Sequence, residues 1–147
     1  MDLSLNINTN GENIDHLYIR VAVIGKTKNG YIFEKNKRGY YFVIGGKVQF
    51  GETFLEAAKR EVEEEIIYNV KSFLFRGILE NFYTQENIST HEISFIYEIE
   101  ELVDIKLSEN FYEMTEKDIL ENDVRPSVLK DIIFEKDRTP KSYVLRK

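Results

Sequence analysis

GGKVQFGETFLEAAKREVEEEI, residues 45–66, is the most informative run of the 147-residue chain. Its first part, Gly45 to Glu52, reads as a glycine-punctuated loop. Gly45, Gly46 and Gly51 permit backbone conformations and close approaches that other residues resist. Thr53 to about Ile66 then reads as a helix. Thr53 is placed to cap it, and Glu56 three residues later completes the reciprocal pattern of a capping box. Leu55, Ala58, Val62 and Ile66 recur at helical spacing and make one apolar stripe.

The last two turns of that helix carry Arg60, Glu61, Glu63, Glu64 and Glu65. Glu61 precedes Glu64 by three positions and Glu65 by four, so the three carboxylates face one region beside the apolar stripe. Glu56 and Glu63 point to the other side. Like charges at this spacing repel by about 0.2–0.5 kcal/mol per pair. Negative charge near a helix C-terminus opposes the macrodipole by roughly 0.3–1 kcal/mol each. A hard cation relieves both costs, because carboxylate oxygens suit Mg2+ or Mn2+. A Glu-rich helix alone is more simply a solvated face, with salt screening the repulsion. The glycine loop just before it is what points to phosphates bridged to metal.

Outward from this run, His16–Ile24 (HLYIRVAVI) reads as a strand. Lys26–Gly30 is a turn signal, and Tyr31–Lys35 reads as the returning strand. Asn36–Gly39 is a second turn, followed by the apolar run Tyr40–Ile44. Val70–Thr84 reads as a strand bent at Gly77. Gln85–Thr90 reads as a loop, and Ile93–Tyr97 as the neighbouring strand, with His91-Glu92 before it. Leu102–Asn122 is mixed. Pro126 suits the first turn of a last helix, about Pro126 to Phe134, because a missing amide is harmless there. Residues 1–13 are polar and Asn-rich and are expected to be loosely ordered. Strands around one strong helix, with another helix near the end, suggest a mixed sheet covered by helices, an α/β (mixed α+β) class in one domain spanning 1–147.

Composition narrows the chemistry. The chain is 42% hydrophobic and 31% charged, enough to bury a core. It lacks cysteine, which excludes disulfides, thiolate metal sites and cysteine nucleophiles. His16 and His91 are the two histidines, too few for a multi-histidine zinc site. A net charge of -6 and no basic stripe argue against nucleic acid as a partner. No apolar run reaches membrane-spanning length, and the first residues lack signal-peptide regions, so a cytoplasmic location is expected.

The run 45–66 resembles the signature of the Nudix hydrolases. Gly46, Glu52, Arg60, Glu61, Val62, Glu64 and Glu65 fall in register with it. An Arg-containing first strand and an aromatic run into the double glycine are also similar to the family. Three positions depart from the pattern. Ile67 stands for its glycine near the end of the box, Ile44 for the proline before the double glycine, and Gln49 for a frequent glutamate.

The resemblance implies an α/β/α sandwich with a mixed sheet. It also implies Mg2+- or Mn2+-dependent hydrolysis of a nucleoside diphosphate linked to a second moiety X, with water attacking phosphorus. By the same resemblance Glu61, Glu64 and Glu65 are metal ligands, with the Gly46 carbonyl as a fourth donor. Arg60 orients Glu61, and Glu52 organises the loop. Glu61 or Glu64 is the general base, or else a glutamate of a later loop, Glu109 first and Glu92 second. Arg20, Phe82, Tyr83 and Glu92 are expected to meet the substrate, the aromatics by stacking on a base. The alternative is a nucleotide-binding or regulatory module of the same shape without catalysis. The expected partner is a small-molecule nucleotide, with capped RNA the poorest fit to the charge, and a homodimer stays open.

Overall fold

The computed structural model describes residues 4–8 and 14–146. Its centre is β2 (Ile14–Ile24). One edge of β2 pairs antiparallel, end to end, with β1 (Ser4–Asn8) and then β5 (Ile44–Lys47). The other edge pairs parallel with β7 (Ile88–Ile99). Beyond β7 lie β6 (Phe73–Gln85), antiparallel to it, and β9 (Lys141–Arg146), parallel to β6. A second, three-stranded sheet holds β4 (Tyr41–Phe42), β3 (Tyr31–Lys35) and β8 (Phe111–Met114).

Strand periodicity divides the interior in two. Val21 and Val23 point to α1 (Phe54–Ile66), where they meet Ala57, Ala58, Val62 and Ile66. Ala22 and Ile24 point the other way. There Leu79 and Ile96 pack with Ile119 of α2 (Glu116–Glu121) and with Leu129, Ile132 and Ile133 of α3 (Val128–Phe134). Both faces of the mixed sheet are therefore covered, as the expected sandwich requires. Arg76 of β6, 2% exposed, donates to Glu98 of β7 at 2.8 Å and to the Ile132 carbonyl of α3 at 2.6 Å. Arg138 also binds Glu98. Each buried charge thus has partners, which burial demands.

The bend at Gly77 is real and has a specific form. The β6–β7 register shifts between Phe75 and Gly77, and Gly77 has φ +135. A Cβ there would collide with the Lys141 backbone of β9. The extra residue reverses the strand's alternation. Phe73 and Phe75 face the α1 side, whereas Leu79 faces the α2–α3 side.

Several local expectations change. Residues 45–47 are not loop but strand β5, because the edge of β2 offers backbone partners and Gly45 has no side chain to strike Val21. Tyr31–Lys35 makes only a single bridge back towards β2 and joins the second sheet instead. β7 begins at Ile88, so His91 and Glu92 lie within it. The preceding turn shrinks to Glu86 and Asn87, both at positive φ, the geometry of a two-residue hairpin. Pro126 stands before α3 and not inside it; its carbonyl accepts from Leu129. Ser4–Asn8, expected to be loose, pairs with β2, while the rest of 1–13 lies outside the described residues. In α1, Thr53 accepts from the Glu56 amide at 3.1 Å without a return bond; the reciprocal box belongs to Thr115 and Asp118 of α2. Leu55 is exposed, and Ala57 takes its place in the core, beside Phe54 stacked on Phe95.

Ile67 ends α1 at φ 52, ψ 52, the left-handed conformation. A β-branched residue is strained there, and at 86% exposure it gains no packing in return. Ile67→Gly is therefore expected to stabilise the protein by roughly 0.5–1 kcal/mol, the relief of strain exceeding the added chain entropy. Denaturant unfolding of both proteins measures it, and a destabilised glycine variant would contradict the strain.

Candidate active site

Arg60 sits midway along α1 and gathers the residues around it. Its Nε and Nη2 donate to the two Glu52 oxygens at 3.0 and 2.6 Å. Nη1 donates to Glu61 at 2.9 Å and reaches Glu64 at 3.4 Å. Nη2 also reaches the Lys47 carbonyl of β5 at 3.2 Å. Glu52 in turn accepts from the Gln49 amide at 2.8 Å, which closes the loop. The Arg60 hydrogen bond holds the Glu52 carboxyl below its usual range. Glu52 and Glu61 together keep Arg60 firmly charged.

Glu61 lies within the buried face of α1 and not beside it. Gly46 makes that possible, since any Cβ at position 46 would collide with the Glu61 carboxylate. Burial pushes the Glu61 carboxyl up, and Arg60 opposes the shift. Glu65, one turn on, is pushed up to about 8, first by burial and then by hydrogen bonding and charge from Glu34 of β3. Its Oε2 is buried without a partner. Arg20 of β2 acts electrostatically on both Glu61 and Glu65 in the opposite sense. Glu64 is the outlier, with its side chain 58% exposed.

This donor set suits a hard divalent cation. An orphaned carboxylate oxygen, a carboxyl that resists ionisation and a glycine cradle all call for positive charge. Glu61 and Glu65 fit that role in place. Among the described residues no three acidic or histidine side chains are already gathered around one point, because Glu64 is turned to Arg60 and solvent.

On the other face of the sheet lies a cleft of about 510 Å³. Arg20, Leu79, Asn81, Tyr83, Glu92 and Ser94 form its floor, and Arg38, Tyr40 and Arg125 stand on its wall. The Arg125 guanidinium lies 4.5 Å from the Tyr40 ring centre. Glu92 accepts from Tyr83 at 3.3 Å and pairs with Arg20 at 3.6 Å. Burial and Glu92 push the Tyr83 hydroxyl up to about 12, so it remains a donor.

Arg20, Tyr83 and Glu92 therefore come together, while Phe82 does not. Adjacent strand residues face opposite ways. Phe82 lies outside this cleft, stacked on His91 at 4.2 Å under the Arg146 guanidinium. Glu109 lies in the exposed turn Ser108–Phe111, with no bond to the Arg60 cluster. Sequence reasoning passed over Glu34, Asn81 and Arg125. Asn81 alone left a trace, a short amide side chain that, with Glu80, interrupts the apolar and aromatic run ILENFY.

The raised Glu65 carboxyl has a consequence for stability. Folded protein keeps this proton up to about pH 8, whereas the unfolded chain releases it near 4.5. Stability therefore falls as pH rises through that window. Thermal melts in chelator are expected to show the decline, and Glu65→Gln to flatten it. An unchanged slope in that variant would remove Glu65 as its source.

The NUDIX domain model of known families matches residues 16–125. The fold is similar to that of a MutT protein from Bacillus halodurans, with a TM-score of 0.68 and 21% identity over 86% of this chain and 89% of that one. A NUDIX hydrolase from Nitrosomonas europaea matches at TM-score 0.58 and 19% identity, covering 88% and 79%. The Ap4A hydrolase of C. elegans matches at 0.56 and 14%, covering 80% and 93%. With three-quarters of its length inside the domain and the box residues gathered around Arg60, the chain belongs to the Nudix family, the hydrolases of pyrophosphate bonds.

Proposed function

We propose that this protein is a Mg2+- or Mn2+-dependent pyrophosphohydrolase of a nucleoside diphosphate linked to a further group X. The observation that carries the reading is the unpartnered Glu65 oxygen beside Glu61 on the buried face of α1. Carboxylates placed there at the expense of stability are explained by a cation that they hold.

In this reading Glu61 and Glu65 hold the metal, with Glu64 and the Gly46 carbonyl completing the donor set. The cation, when bound, lowers the pKa of a water and neutralises phosphoryl charge. Arg60 fixes the Glu61 carboxylate and keeps β5, the loop and α1 in one register. Glu64 meets solvent and is the carboxylate best placed to take a proton from the attacking water; Glu61 is the other candidate. Arg20, between the acidic helix and the cleft, binds phosphate oxygens. The cleft receives the nucleoside. Glu65 must lose its proton to serve as a ligand, so metal binding releases a proton and tightens with rising pH.

The deciding experiment is a panel of nucleoside diphosphate derivatives with Mg2+ and Mn2+, analysed for products. Cleavage within the pyrophosphate is expected. Glu64→Gln and Glu65→Gln are expected to lower turnover by orders of magnitude with unchanged circular dichroism. Nucleotide binding without product release, or full turnover in both variants, would overturn the proposal.

A further inference from the structure

The loop between β5 and α1 carries an aromatic knob. Val48 anchors the loop, donating its amide to the Ile19 carbonyl of β2 at 3.0 Å. The Glu52 amide then closes a turn on the Gln49 carbonyl, with Gly51 at φ +90. Phe50 stands at the tip of that turn, 76% exposed. The first turn of α1 adds exposed Leu55 and, beside it, exposed Glu56.

A recess of about 450 Å³ opens on the same side of the sheet. Leu17 lines it, two residues along β2 from Ile19. Strand alternation turns Leu17 the way of Ile19 and Val21, to the α1 side. Phe82 and His91 are register partners and face the same way, as does Arg146, the neighbour of Phe82 on β9. The wall is thus aromatic and its rim cationic. Val144, exposed on the same face of β9, extends the apolar surface. Phe50 does not fill the recess of its own chain, since it stays in solvent.

We propose that this face joins two copies of the chain as a two-fold dimer. Phe50 of each copy enters the recess formed by Leu17, Phe82 and His91 of the other. A knob and a recess that adjoin on one surface are self-complementary, because a two-fold axis between them makes the same exchange twice. Aromatic anchors seated in pockets are the groups that dominate such interfaces. Charge agrees: Glu56 beside the knob meets Arg146 at the rim of the other copy's recess. The seated Phe50 then secures from outside the loop that Arg60 secures from inside through Glu52.

The association needs neither metal nor nucleotide, so it is measured in chelator on the full chain and stands apart from the hydrolytic reading. Sedimentation at about 1–100 μM protein is expected to show a monomer–dimer equilibrium. Phe50→Ser at the knob and Thr84→Arg in the recess both change exposed positions and are expected to keep the parent circular dichroism. Each is expected to weaken dimerisation by about 100-fold, since every substitution acts twice. Glu56→Arg and Arg146→Glu singly are expected to weaken it about tenfold, and the two together in one chain to restore most of it. A parent chain that stays monomeric throughout would overturn the proposal. So would association that grows beyond two copies, a dimer indifferent to Phe50→Ser and Thr84→Arg, or a charge swap without recovery.

Discussion

The Arg60 guanidinium is the tie on which the acidic end of the molecule depends. One planar group bonds the carbonyl of β5, the carboxylate of the loop and the carboxylates of its own helix. It is only 22% exposed, so each bond operates in a reduced dielectric. Without it Glu61 would be a buried carboxylate with no direct ion-pair partner, a loss of about 3–5 kcal/mol in comparable pairs. The loop would also lose the contact that fixes Glu52. Lysine would not replace it, because an ammonium with three donors on one nitrogen cannot span the oxygens of Lys47, Glu52, Glu61 and Glu64 that the guanidinium reaches.

Much of this arrangement is readable from local pattern. The helix runs from Phe54 to Ile66 as its spacing implies, and the Tyr31–Lys35 strand has the expected bounds. Both depend on neighbours within a few residues. What escapes the sequence depends on distant partners. Strand β5 exists because β2 has a free edge, and β9 because β6 does. Leu55 looks as apolar as Ala57, yet only the helix's position over the sheet assigns one to solvent. Helical spacing puts Glu61 beside the apolar stripe, but the missing side chain at Gly46 leaves room for its carboxylate on the buried face. Asn81 stands out within its strand, but only the register of β6 on β7 supplies its partner Glu92.

The two faces of the sheet divide the labour. Acidic α1 covers one face, and the cleft opens on the other. Arg20 connects them, pairing with Glu92 and acting on Glu61 and Glu65. Charge at one face is thus felt at the other over a single side chain. The Arg76–Glu98 pair secures the same sheet against α3 without entering either site.

The bulge at Gly77 gives this division an evolutionary reading frame. Everything downstream of it on β6 owes its facing to one inserted residue. Flattening the bulge, so that this residue joined the ladder, would trade Asn81 and Tyr83 for Glu80 and Phe82 as a block. The cleft floor would present a different set of side chains, with the helix that carries the carboxylates untouched. Lineages built on this scaffold can therefore diversify their ligands by frameshifting a strand and not only by editing its letters.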